Sequence, residues 1–252
     1  MPGFQEKIQG LAVYRSRTMG SSLQVVLIHG AVDRAAGMIR VARKISNAEV
    51  VRYDRRGYGR SDSVGNTCSF EEHVDDLELV IGDRPTVLFG HSYGGSVALG
   101  AVSRGNPFVR AAVSYEAPRT WETWWPPPPG SDIDPAAAAE HFVRRMIGED
   151  RWQTLPASSR SKLRSQGVLM VHELNTQTKQ RYSIEDVQIP LVFGVGDLSG
   201  DHAQKAAVIF SDEAHSGRVL GLHGAKHDAP MSHPEQVADL INDAVQEISG
   251  LL

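Results

Sequence analysis

Six short apolar runs rich in Val, Ile, Leu and Phe punctuate this chain, at 25–28, 50–53, 86–89, 109–114, 191–193 and 218–222. Most are too apolar to alternate between core and water. That is the pattern of strands buried on both faces of a parallel sheet. Parallel neighbours need crossovers, and helical stretches separate the runs. Residues 69–81 put Phe70, Val74, Leu77 and Ile81 on one stripe, with Ser69 and Glu72 spaced as a capping box. Residues 232–248 repeat the arrangement, with Ser232 and Glu235 at the cap and Val237, Leu240, Ile241, Ala244, Val245 and Ile248 on the apolar face. The pattern predicts an α/β fold: a mostly parallel, doubly wound sheet with helices on both faces.

One stretch breaks the rhythm. No sheet strand is predicted between 114 and 191. Instead come Trp121, Trp124 and Trp125, four prolines at 126–129, and helical segments at 134–147 and about 159–174. Asp134-Pro135 is a helix start and Gly148 a stop. The expected organisation is a core of residues 1–117 and 188–252, with residues 118–187 inserted as a helical cap. The three tryptophans are its candidate substrate-pocket residues, supplying aromatic contact area to a small, apolar substrate.

Gly90-His91-Ser92-Tyr93-Gly94 follows the run 86–89 and precedes a helix-compatible segment, 96–103. Strand, tight turn and helix are the context that a G-x-S-x-G nucleophile elbow requires: the turn pushes the serine hydroxyl out at the carboxyl edge of the sheet. His29-Gly30-Ala31 follows the run 25–28. The backbone N–H groups of Ala31 and Tyr93 are the candidate oxyanion hole, and His29 is expected to bond backbone rather than react.

A serine hydroxyl needs a base. Among ten histidines, His227 is favoured because it lies just past the last strand, at the sheet edge that carries the elbow. His223 is the runner-up, and His202, His215 and His233 read as surface residues. The orienting acid is expected after a late strand, where Gly194-Val195-Gly196-Asp197 points to Asp197. Asp201 and Glu116 are the alternatives, Glu116 because it follows the run 109–114 and an acid there reaches the same imidazole.

With these motifs in place, the chain resembles the α/β-hydrolase superfamily from His29-Gly30 to its last helix. Tyr53-Asp54-Arg55-Arg56-Gly57-Tyr58-Gly59-Arg60-Ser61 is similar to that family's D-x-R-G-x-G-x-S segment, and His227 with Ser232-His233-Pro234-Glu235 to its C-terminal pattern. The resemblance implies a carboxylesterase-like serine hydrolase acting through an acyl-enzyme. Serine rather than aspartate at the elbow sets aside dehalogenase and epoxide-hydrolase chemistry. The alternatives are a thioesterase, lactonase or C–C hydrolase with the same triad, a biosynthetic cyclase or acyltransferase, and a low-turnover ligand-binding receptor.

Composition narrows the partners. A formal net charge of −4 with scattered arginines leaves no phosphate-tracking stripe, so nucleic acid is not expected. No apolar run reaches the ~20 residues that span a bilayer. The single cysteine, Cys68, and an N-terminus without a basic or apolar leader lead to the expectation of a cytoplasmic protein. No Cys pair, His cluster, P-loop or G-x-G-x-x-G after the first strand calls for a metal or cofactor, and the expected partner is a small-molecule substrate.

Overall fold

The computed structural model describes residues 4–16, 21–62, 68–130, 132–177, 179 and 181–250. The leaderless reading of the N-terminus thus falls partly on residues outside this set. Among the described residues the strands are β1 (Phe4–Ile8), β2 (Leu11–Arg15), β3 (Gln24–Ile28), β4 (Glu49–Tyr53), β5 (Thr86–His91), β6 (Val109–Tyr115), β7 (Leu191–Gly196) and β8 (Gly217–Leu222). They form one sheet in the order β1-β2-β4-β3-β5-β6-β7-β8. From β4 to β8 neighbouring strands run parallel, while β2 joins β4 antiparallel. The α/β expectation is met, and every residue of β3 and β7 is buried.

The β1–β2 hairpin was not foreseen. Ile8 pairs with Leu11 across a two-residue turn, Gln9-Gly10, whose φ values of 44° and 87° are both left-handed. Such a turn matches the twist of an antiparallel pair.

Helices cover both faces. On one side α1 (Ile39–Ala42) and α10 (Pro234–Ser249) pack Val41, Val237, Ile241 and Val245 against the sheet. On the other, α2 (Phe70–Ile81), α3 (Tyr93–Ser103) and α8 (Asp201–Glu213) bury Val74, Leu77, Val97 and Phe210. The α2 capping box is present: Ser69 accepts from the Glu72 N–H, and Glu72 from the Ser69 N–H. The second predicted box is corrected. Pro234 occupies the first helical position of α10, which makes His233 the cap residue. Ser232 instead ends the short α9 (Ala229–Ser232) and donates to the Asp228 carbonyl, while Glu235 pairs with Lys44.

Between β6 and β7 lie α4 (Pro135–Ile147), α5 (Glu149–Thr154), α6 (Ala157–Ser165) and α7 (Gly167–Gln177). Asp134 caps α4 by accepting from the Ala136 and Ala137 N–H groups, and the helix stops at Gly148. The predicted segment 159–174 is two helices that meet at Gln166. No described helix is long and apolar enough to cross a membrane.

Candidate active site

β3 lies between β4 and β5, so successive crossovers leave it in opposite directions. This reversal opens a crevice at the carboxyl ends of the strands. Three residues there hold left-handed backbone without being glycine: Val32 after β3 (φ 54°), Ser92 after β5 (φ 54°) and Glu116 after β6 (φ 49°). Such conformations cost of order 1–3 kcal/mol each and survive only where surrounding structure enforces them.

The elbow shows what enforces Ser92. A Cβ on Gly90 would overlap the Gly94 carbonyl, and one on Gly94 would overlap the Ile28 and His29 carbonyls. Both glycines of G-x-S-x-G are therefore demanded by close backbone approach. The Ser92 N–H donates to the Tyr115 carbonyl at 2.9 Å, and the Ser92 carbonyl accepts from Gly95 and Ser96. Tyr93 begins α3, where the first amides have no intrahelical acceptor. Gly30 stands against Ser92, since a Cβ there would lie 3.2 Å from the Ser92 Cβ. The loop bearing Ala31 thus passes beside the serine.

His227 Nδ1 is 2.7 Å from Glu116 Oε2. Glu116 Oε1 accepts from the Gly196 N–H at 3.1 Å and from the Ser199 hydroxyl. Burial alone would push the Glu116 carboxyl up. The hydrogen bond and charge of His227, with the bonds from Ser199 and Gly196, outweigh it and hold the carboxyl at about 2. The expectation that Asp197 orients His227 is corrected. Asp197 accepts from His223 Nδ1 at 2.9 Å and from the Gly224 N–H at 2.8 Å, with 42% of its side chain exposed. The turn after β7 aims it outward over the loop that precedes His227. The alternative acid, Glu116, occupies the position beside the imidazole.

Neighbours that sequence reasoning missed fix the His227 loop. His91 Nε2 donates to the His227 carbonyl at 2.8 Å, and the Tyr115 hydroxyl donates to the Lys226 carbonyl at 2.8 Å. Burial, then the proximity of His227, lowers the His91 imidazole to about 3, so it stays neutral and serves as a fixed donor. His29 bonds backbone as expected: its Nδ1 donates to the Gly30 carbonyl and its Nε2 accepts from the Arg55 N–H.

Beneath this loop lies a buried network. Arg55 donates to the His29 and Gly30 carbonyls at 3.1 Å each and to Glu173 of α7 at 2.5 and 3.3 Å. Tyr58 and His73 also bond Glu173, at 2.7 and 2.8 Å. Both members of the Arg55–Glu173 pair are fully buried. Burial would raise the Glu173 carboxyl, but Arg55 and His73 hold it at about 2. The pair ties α7 to the carbonyls that shape the Ala31 loop. Its partners are 118 residues apart, and Arg55 stands at the variable position of the D-x-R-G segment, whose motif arginine, Arg56, pairs with Asp76 instead.

A cavity of about 790 Å³ lies between Ser92 and His227 on one side and α4 and α7 on the other. Trp125 lines it, as do Pro127, Ile133, Phe142 and Leu174. The other two tryptophans are placed elsewhere. Trp121 meets Tyr182 and Phe210 edge-on, and Trp124 lies under Lys205. Of the three expected pocket residues, the structure brings Trp125 to the cavity.

Residues 25–240 match the model of the "Alpha/beta hydrolase family". A proline iminopeptidase from Saccharolobus solfataricus is 30% identical over 118 residues, 43% of this chain and 38% of that relative's length. The chain thus matches well under two thirds of that peptidase. Among solved structures, a thermophilic esterase from Thermogutta terrifontis superposes with a TM-score of 0.71 at 17% identity, covering 98% of each chain. MenH from S. aureus superposes at 0.70 and 16% identity, covering 95% of this chain and 99% of that one. At such identities the likeness is one of fold.

Proposed function

The chain belongs to the alpha/beta hydrolase family, and from that premise we propose that it is a serine hydrolase, cleaving an ester-type bond with Ser92, His227 and Glu116. The observation that carries this reading is the 2.7 Å bond from His227 Nδ1 to a buried carboxylate, beside a serine held in a left-handed elbow.

In this reading, Ser92 Oγ attacks the substrate carbonyl while His227 Nε2 takes its proton. Glu116 accepts the Nδ1–H, fixing the tautomer that leaves Nε2 free, and stabilises the imidazolium that forms. The amides of Ala31 and Tyr93 face the developing oxyanion. His227 then returns the proton to the leaving alkoxide. Water, activated by the same imidazole, releases the acid from Ser92. His91 and Tyr115 hold the backbone of His227 so that proton transfer needs no rearrangement of the loop.

The test is covalent. A fluorophosphonate should add one adduct to the wild type, read by intact mass, and none to Ser92→Ala. A panel of ester, thioester, lactone and prolyl-peptide substrates then identifies the bond. A folded wild type that takes no adduct and turns over no member of the panel would overturn the proposal.

A further inference from the structure

Most of the cavity wall beside Ser92 is apolar, and apart from Glu116 the charged side chains among the described lining residues are cationic. α4 presents Ala138, His141, Phe142, Arg145 and Met146 to it at helical spacing, with Arg145 the one charged side chain of that stripe besides the imidazole of His141. Lys226 and His202 line it from the other side. The one carboxylate among the described lining residues, Glu116, already has His227, Ser199 and the Gly196 N–H as donors. It leaves nothing with which to neutralise Arg145.

Adjacent arginines make the contrast plain. Arg144 donates to Glu149 at 2.7 and 2.5 Å and to Glu140 at 2.8 Å, and Arg164 pairs with Glu140. The two nearby carboxylates are thereby consumed. Arg145, one residue on, is exposed and has no hydrogen-bond or ion-pair partner among the described residues. Its charge nevertheless reaches across the cavity. His202 on α8 is lowered from the ordinary imidazole range by burial and then by Arg145. A guanidinium without a partner, at the rim of an apolar cavity, offers a planar donor fork to an oxyanion.

We propose that the substrate carries a terminal oxyanion, a carboxylate or a phosphate, that docks on Arg145, while its apolar arm spans the cavity to Ser92. This rests on the serine-hydrolase reading for the chemistry but not for the binding. It makes Arg145 a specificity-determining residue.

Two esters of equal chain length test it: mono-p-nitrophenyl adipate, which ends in a carboxylate, and p-nitrophenyl hexanoate, which ends in a methyl group. Wild-type kcat/KM should favour the adipate about ten- to a hundredfold, the range of a charge-assisted hydrogen bond. Added salt should shrink the preference. Arg145→Gln should bring the ratio close to one, whereas Lys162→Gln, on α6 and outside the cavity lining, should preserve it. No wild-type preference, or an Arg145→Gln variant that keeps the ratio, overturns the proposal.

Binding to Ser92→Ala separates this outcome from failure of the hydrolase reading. By calorimetry, hexanoate or hexyl phosphate should bind at least tenfold more tightly than hexanol, and whichever anion binds better names the oxyanion. If no ester is cleaved yet this preference appears and Arg145→Gln abolishes it, the hydrolase reading falls and the oxyanion site stands. If hexanol binds as well as either anion, the oxyanion site falls.

Discussion

Replacing Glu116 with Gln keeps the shape of the side chain and removes its charge. Its carboxyl sits at about 2 instead of the ordinary 4.5. That difference corresponds to about 3 kcal/mol in favour of the ionised form. The imidazolium formed in the transition state draws on the same attraction. An amide also offers His227 Nδ1 a donor or a weaker acceptor, which loosens the tautomer. The expected loss in kcat/KM is therefore a few hundredfold, within the ~10²–10⁴ range for positioned acid–base groups. Asp197→Asn should stay within about threefold of wild type, because Asp197 touches His223 and Gly224 and not His227. The assay is the rate of fluorophosphonate labelling together with kcat/KM on a p-nitrophenyl ester. Stability supplies a second readout. A carboxylate held below its unfolded value stabilises the fold above about pH 4.5 and loses that contribution as pH falls through about 2. The wild type should lose Tm between pH 4.5 and 2 more steeply than Glu116→Gln. Equal losses of activity in Glu116→Gln and Asp197→Asn, or near-wild-type labelling of Glu116→Gln, would refute the reasoning.

Glu173→Leu leaves the Arg55 guanidinium buried and unpaired, and should cost about 3–5 kcal/mol in urea unfolding. Adding Arg55→Met should recover part of that stability, and an additive double variant would show that the pair is uncoupled. Trp125→Ala should raise KM with little change in Tm, since Trp125 lines the cavity. Trp121→Ala should lower stability by roughly 2–3 kcal/mol, with KM retained, because its ring packs on Tyr182 and Phe210. The opposite pattern in the two variants would reverse these assignments.

What could be read from the chain was whatever its local order encodes. Strands β3, β5, β6 and β7 announced themselves because both faces are buried and the apolar runs are continuous. The elbow was legible because Gly90 and Gly94 are dictated by contacts between adjacent elements. The start and stop of α4 were legible because Asp134, Pro135 and Gly148 act on their own backbone. The β1–β2 hairpin escaped because Gln9-Gly10 is a weak turn signal and the strands beside it carry charged residues. The second capping box failed because Pro234 displaced the cap by one residue. The acid was ambiguous for a deeper reason. Asp197 and Glu116 both follow strands at one sheet edge, and the choice between them depends on the Glu116 backbone at φ 49° and on how far a glutamate reaches. Nor could local order reveal Glu173, whose partners Arg55, Tyr58 and His73 come from distant parts of the chain.

Placing the carboxylate after β6 has a consequence for the segment that follows β7. The β7–α8 turn touches the His227–Glu116 pair through the Gly196 amide and the Ser199 hydroxyl, and the Asp197 side chain is free of it. Side-chain exchanges at Leu198, which keep the backbone that places Gly196 and Ser199, can therefore remodel the outer rim without removing a donor to Glu116. In the proposed reading Ser92, Glu116 and His227 follow β5, β6 and β8, and the outer face of the turn after β7 is left as terrain on which new selectivities can be tried at low cost.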